Sequence, residues 1–205
     1  MMLSVHPLMI TALNFVNVVK NNLVSATDQL ILVTGACRSG KSEWAESLAA
    51  KSDRQVVYVA TSQTSQNDPE WQARIEKHRQ RRSQHWQVIE EPKNLEKIIA
   101  QAQPNQCLLI DSLGTWLANL LDLEAHEWSK ISSEFMASLP QTQAQIILVA
   151  EETGWGLVPA YKSGRIFRDR LGELTRKIGT IADTTYLIAG GHVLNLSILG
   201  TPLEN

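Results

Sequence analysis

The 205-residue chain has only two cysteines, Cys37 and Cys107. A single pair supplies neither a disulfide framework nor the ligand spacing of a zinc site, so a reducing, cytoplasmic setting is the expectation. Net charge is also scant. The 19 Lys and Arg nearly balance 21 Asp and Glu, leaving −2, which is too weak a field for general attraction to nucleic acid or an anionic membrane surface. No Pro- or Gly-rich linker divides the chain, and no internal repeat or low-complexity tract is present. The N-terminal MMLSVHPLMITALNFVNVVKNN is moderately apolar. It lacks a basic start, a small-residue cleavage site and the unbroken apolar length of a bilayer span. Residues 1–28 are therefore read as an extension with no assigned role. Residues 29–205 are read as one domain, of a size that buries roughly 70% of its unfolded surface.

Short apolar runs recur along that domain: Leu30 to Thr34, Val56 to Ala60, Cys107 to Asp111, Ile146 to Ala150 and Thr185 to Ala189. They are apolar throughout instead of alternating, which suits strands buried on both faces of a parallel sheet. Helical patterns lie between them, over residues 42–51, 69–84, 94–102, 113–121, 127–138 and 165–182. Strands alternating with helices predict an α/β three-layer fold with a mainly parallel sheet and right-handed crossovers.

The strongest local signal is LILVTGACRSGKSEWAESL. Gly35, Ala36, Cys37, Arg38, Ser39, Gly40, Lys41 and Ser42 match G-x-x-x-x-G-K-[ST], with an apolar strand before and a helix after. The two glycines let the backbone turn and bring its N–H groups close to phosphate oxygens. The helix adds its positive N-terminal end. Lys41 offers a point charge to the β- and γ-phosphates, and Ser42 a hydroxyl to Mg²⁺. Asp111 ends a buried run, where the second metal-side carboxylate of such sites sits; a cap on the following helix is the other reading. Together these residues predict a P-loop protein that binds a nucleoside triphosphate with Mg²⁺.

A second signal is RIEKHRQRR, residues 74–82. In a helix, Arg74, His78 and Arg82 share one face. Cations above and below His78 disfavour imidazolium and lower its pKa. A neutral imidazole is a competent nucleophile toward phosphorus. A solvated basic helix face is the plainer alternative. A nucleic-acid patch fits less well, since the run has little aromatic interleaving and the chain is not basic overall.

With those residues in view, the sequence resembles the bifunctional adenosylcobinamide kinase/adenosylcobinamide-phosphate guanylyltransferase family of cobalamin biosynthesis. The matching stretches are TGACRSGKS, VVYVATSQ, DPEWQARIEKHRQRRSQHWQVIEEP, LLIDSLGTWLANLL, ETGWGLVP and GRIFRDRLGELTRKIGTIAD. The resemblance implies a RecA-like P-loop fold and a homotrimer. It implies phosphorylation of adenosylcobinamide by ATP or GTP, then transfer of GMP from GTP to that phosphate, with release of pyrophosphate. It places the covalent guanylyl group on His78. Nucleotide contacts fall on Gly35 to Ser42, on Thr61, Ser62 and Gln63, on Arg79, Gln80, Arg81 and Arg82, and on Glu90 and Asp111. Any cobalt arrives within the corrinoid substrate, and no cobalt ligand is expected on the protein.

The chain departs from the family pattern in two places. Glu151-Glu152 stands where Asn-Glu is usual, and Thr175-Arg176 where Asn-Gln is common. A guanylyltransferase without kinase activity is therefore the first alternative, and a non-enzymatic P-loop regulator the second. No N-K-x-D guanine-reading motif is present. Trp71, Trp86, Trp116, Trp128 and Trp155 are read as core or interface residues, with Trp155, between two glycines, the one to test against a flat corrinoid. His85, His126 and His192 carry no ligand spacing and receive no role. Cys37, beside a helix N-terminus, is a candidate for oxidation sensitivity.

Overall fold

A computed structural model describes residues 28–62, 76 and 83–203. Seven strands form one sheet: β1 (Leu30–Gly35), β2 (Gln55–Ala60), β3 (Gln87–Glu90), β4 (Gln106–Asp111), β5 (Gln145–Glu151), β6 (Thr184–Ala189) and β7 (His192–Asn195). The α-helices whose bounds lie among the described residues are α1 (Lys41–Ala50), α2 (Leu95–Gln101), α3 (Leu113–Ala118), α4 (Ala125–Ser138), α5 (Lys162–Ile181) and the single turn α6 (Leu196–Leu199). The strand order is β3-β2-β4-β5-β1-β6-β7. Every neighbouring pair is parallel except β6 with β7.

The unbroken apolar runs are explained by burial on both faces. Successive side chains of a strand point to opposite sides of the sheet. Leu32, Val57, Leu108, Ile110 and Leu148 meet α2 to α5 on one side. Ile31, Val33, Tyr58, Leu109 and Val149 meet Ala45, Leu48 and Ala49 of α1 on the other. The helix side centres on Trp116, which is fully buried. Its ring centroid lies 4.9 Å from Phe135 and 5.7 Å from Trp128, and its indole N–H donates to the Lys93 carbonyl at 2.9 Å. A tryptophan is well accommodated in a core when its one donor is satisfied in this way. Trp116 and Trp128 are thus the core residues that the sequence reading expects, whereas Trp155 is 69% exposed.

All five expected strands are present. Two more, β3 and β7, were not anticipated. QVIE and HVLN are four-residue edge strands, mostly exposed, so neither carries a continuous apolar run. Helix α5 begins at Lys162, three residues before the sequence pattern suggests. Helix α3 stops at Ala118, short of 121. The expected helix over 69–84 falls largely outside the described residues. Among the described residues, no helix is long and apolar enough to cross a membrane.

Candidate active site

Because β1 to β6 are parallel, their carboxyl ends share one edge. Register pairs Gly35 with Glu151 and with Ile188, Ala60 with Glu90 and with Asp111, and Asp111 with Val149. Ligands of open α/β sheets bind outside this edge, and most of the described sequence-predicted residues gather there.

The loop after β1 turns tightly. A Cβ on Gly35 would lie 2.6 Å from the Ile188 carbonyl oxygen and 2.7 Å from Ser39 Oγ, so only glycine lets β1 and β6 approach as they do. Arg38 and Gly40 take left-handed φ values of 59° and 96°. Gly40 then caps α1, and its carbonyl accepts from Trp44 N–H at 2.9 Å. Ala36, Cys37 and Arg38 are exposed, while Lys41 is buried, 4% exposed. The Lys41 ammonium donates to the Ala36 carbonyl across a long 3.4 Å. A cation held inside a loop of backbone donors at the start of a helix is an anion cradle. Strand, loop and helix together make this the fold of a P-loop NTPase.

Asp111 lies at the end of β4, its Oδ2 accepting from Tyr58 O–H at 3.0 Å. Helix α3 is capped by the next residue, Ser112, whose Oγ accepts from Thr115 N–H at 3.3 Å. The helix cap that was the other reading of Asp111 is therefore provided by its neighbour Ser112. Thr61 is fully buried. Its hydroxyl donates to the Ser112 carbonyl at 2.8 Å and accepts from Ser112 N–H at 2.9 Å, so it ties the end of β2 to the turn after Asp111. Ser62 is half-buried and Glu90 exposed. Glu91, beside Glu90, accepts from the N–H groups of Lys93 and Asn94. Burial alone would raise the Glu91 pKa, but these bonds outweigh it and hold the carboxyl below its usual value. Gln63, His78, Arg79, Gln80, Arg81 and Arg82 lie outside the described residues.

Two adjacent carboxylates, Glu151, which departs from the family's Asn-Glu, and Glu152, which matches it, hold this edge together. Glu151 accepts from Ser112 Oγ at 2.6 Å and from Gly114 N–H at 2.9 Å. A Cβ on Gly114 would collide with that carboxylate. Glu152 accepts from Thr34 Oγ1 at 2.6 Å, and its own N–H donates to the Gly35 carbonyl at 3.0 Å. Both follow the apolar run of β5, so their position at a strand end was readable; their partners were not. Glu151 thereby anchors the turn that carries Asp111. Glu151→Ala is expected to lower unfolding free energy by about 2 kcal/mol, as two hydrogen bonds to a charged acceptor are lost. Glu151→Gln, which keeps an acceptor and the shape, should lose less than half of that. Urea denaturation of the three proteins checks both. Thr175 and Arg176 lie in α5, the former half-buried and the latter exposed.

The two cysteines differ. Cys37 is exposed on the phosphate loop, and Cys107 is buried in β4. Burial pushes the Cys107 thiol up to about 11, which keeps it protonated and unreactive. Among the described residues, no group of three or more His, Cys, Asp or Glu side chains could hold a metal ion.

Comparison with known proteins gives a consistent picture. A family model described as cobinamide kinase / cobinamide phosphate guanyltransferase matches residues 31–196. The bifunctional adenosylcobalamin biosynthesis protein CobU of Escherichia coli (strain K12) is 37% identical, over 79% of this chain and 96% of the relative. The bifunctional adenosylcobalamin biosynthesis protein CobP of Pseudomonas aeruginosa is 38% identical, over 84% and 98%. Among solved structures, a protein of Pyrococcus horikoshii OT3 superposes with a TM-score of 0.53 at 9% identity, over 86% of this chain and 94% of its own. That last likeness is one of fold alone.

Proposed function

The chain belongs to the cobinamide kinase / cobinamide phosphate guanyltransferase family, and from that membership we propose that it phosphorylates adenosylcobinamide with ATP or GTP and then transfers GMP from GTP to the product. The observation that carries this reading is the match over residues 31–196, which spans both the phosphate loop and the histidine run.

In the kinase half, the loop N–H groups and Lys41 bind the triphosphate and offset charge that builds on the transferring γ-phosphoryl group. The acceptor hydroxyl forms the new P–O bond as the bond to the β-phosphate breaks. Ser42 and Asp111 are hard oxygen donors of the kind Mg²⁺ takes together with substrate phosphates, and that ion would neutralise charge on the phosphates. In the guanylyl half, a ring nitrogen of His78 attacks the α-phosphorus and pyrophosphate leaves. A phosphate oxygen of adenosylcobinamide phosphate then attacks the same phosphorus and releases the imidazole. Two displacements at one phosphorus predict ping-pong kinetics.

The acceptor is a corrinoid, and Trp155 is the flat side chain we assign to it. Leu157, Val158 and Tyr161 are 95%, 65% and 81% exposed on the same segment. Association into a trimer would cover such apolar side chains. We place the protein in the cytoplasm, without affinity for nucleic acid.

The test is turnover by the purified protein supplied with Mg²⁺, GTP, ATP and adenosylcobinamide. Adenosylcobinamide phosphate should appear first, then adenosylcobinamide-GDP with one pyrophosphate per GMP transferred. Use of adenosylcobinamide phosphate but not of adenosylcobinamide would reduce the function to guanylyl transfer. Use of neither would refute the proposal.

A further inference from the structure

The acceptor hydroxyl of the kinase half loses its proton as its oxygen bonds to phosphorus. In phosphoryl transfer to a hydroxyl, a positioned carboxylate commonly takes that proton. Strand β5 lies between β1, which leads into the phosphate loop, and β4, which ends in Asp111. Asp111, Glu151 and Glu152 therefore stand at the carboxyl edge on or beside the strands nearest the loop. Glu90, on β3, has three strands between it and β1.

Two of the three are committed elsewhere. Asp111 Oδ2 accepts from Tyr58 O–H at 3.0 Å, and the reading above gives that carboxylate to Mg²⁺. A bound dication stabilises the ionised form and makes a poor proton acceptor of it. Glu151 accepts at both oxygens, at Oε1 from Ser112 Oγ and at Oε2 from Gly114 N–H, which turns it toward α3. Glu152 differs. Among the described residues only its Oε1 has a donor, the Thr34 hydroxyl at 2.6 Å, so Oε2 is left to accept. Thr34 is 4% exposed, a fixed anchor for that carboxylate. Glu152 N–H also donates to the carbonyl of Gly35 at 3.0 Å, so residue 152 touches the first residue of the phosphate loop.

From Glu152 the chain runs into the exposed stretch Gly154 to Val158, which contains Trp155, the side chain assigned to the corrinoid. Glu152 thus joins the loop that holds the donor phosphates to the segment that receives the acceptor. We propose that Glu152 is the general base of the kinase half. The inference rests on the functional reading above. Glu152 Oε2 takes the proton of the acceptor hydroxyl while that oxygen bonds to the γ-phosphorus. The bond from the γ-phosphorus to the bridging oxygen breaks, and its electron pair leaves on the nucleoside diphosphate. The carboxyl group, half-buried at the edge of the sheet, returns the proton to solvent once the product departs. The guanylyl half needs no such base, because its nucleophiles are a neutral imidazole and then an ionised phosphate.

The experiment measures the two halves separately on wild type and Glu152→Gln. The substitution keeps the size of the side chain and an oxygen for Thr34, and removes the proton acceptor. The kinase half is read with Mg²⁺, ATP and adenosylcobinamide. The guanylyl half is read with Mg²⁺, GTP and adenosylcobinamide phosphate, and its turnover reports that the variant is folded with a working phosphate loop. Glu152→Gln should lower kcat for phosphorylation about a hundred-fold, the low end of what a general base contributes. KM for ATP and for adenosylcobinamide should stay within a few-fold, as should guanylyl transfer. Damage to the sheet edge would instead raise KM and slow both halves. Phosphorylation that falls by less than ten-fold would overturn the base and leave the enzyme reading intact. Equal slowing of both halves would also overturn it, since the effect would then lie in the shared loop. A wild type that transfers GMP to adenosylcobinamide phosphate but phosphorylates no adenosylcobinamide would overturn the kinase reading and this base together.

Discussion

Incubated with Mg²⁺ and GTP labelled at the α-phosphate, the wild-type protein should take up covalent label, and a His78→Asn protein should take up none. The adduct should be labile to acid and stable to alkali, as a phosphoramidate is. His78 has five cationic side chains within four residues, Arg74, Lys77, Arg79, Arg81 and Arg82, against one acid, Glu76. Positive neighbours favour the neutral imidazole, and a neutral ring nitrogen can displace pyrophosphate without first losing a proton. Asparagine keeps a polar side chain of similar reach but cannot act as the nucleophile. The kinase half as proposed uses the phosphate loop, Asp111 and the acceptor hydroxyl but not His78, so His78→Asn should still make adenosylcobinamide phosphate from ATP. The pair of results separates the two halves: label lost, phosphorylation kept. Label retained on the variant would assign the intermediate to another residue. Loss of both activities in a folded variant would mean that the run at 74–82 serves triphosphate binding in general.

Lys41→Met should lower kcat/KM for adenosylcobinamide phosphorylation by roughly 10²–10³, the usual cost of removing one preorganised electrostatic contact from a transition state. Its stability should not fall with it. The Lys41 side chain is 4% exposed, yet among the described residues its charge meets the protein through a single long hydrogen bond to Ala36. A buried ammonium so poorly paired contributes little to the folded state. Methionine fills similar volume with no charge to desolvate. A thermal midpoint equal to wild type, or higher, is therefore expected beside the loss of activity. Activity within ten-fold of wild type would show that the loop N–H groups suffice without the lysine.

The fold was largely legible because burial on both faces leaves an unbroken apolar signature. Strands such as ILVT and LLID admit few other interpretations. The signal vanished where a strand had one open flank: QVIE and HVLN carry half their residues as polar groups and are short. The phosphate loop was legible residue by residue, since each type has a local reason, and Gly35 is an example whose reason the structure makes visible in the approach of Ile188. The Glu151 contacts were not legible. Ser112 lies 39 residues from Glu151 in sequence, and nothing local indicates that β4 and β5 are neighbours in the required register. The same holds for Thr61, which the family resemblance marks as a nucleotide contact and whose buried hydroxyl clamps Ser112.

The position of β1 has a consequence for how the chain folds. It is synthesised first among the described strands, yet both its neighbours, β5 and β6, come more than a hundred residues later, as in the pairing of Leu30 with Ile146 and the bond from Leu30 N–H to Asp183. Until those segments leave the ribosome, β1 is an apolar strand with two open edges. Its phosphate loop cannot be held in shape, because the backbone that closes on Gly35 belongs to β6. Long-range parallel pairing of this kind is slow, and nascent chains with unpaired strands are prone to associate. Nucleotide can therefore reward only the finished sheet, and its binding should draw late intermediates toward the native state by mass action.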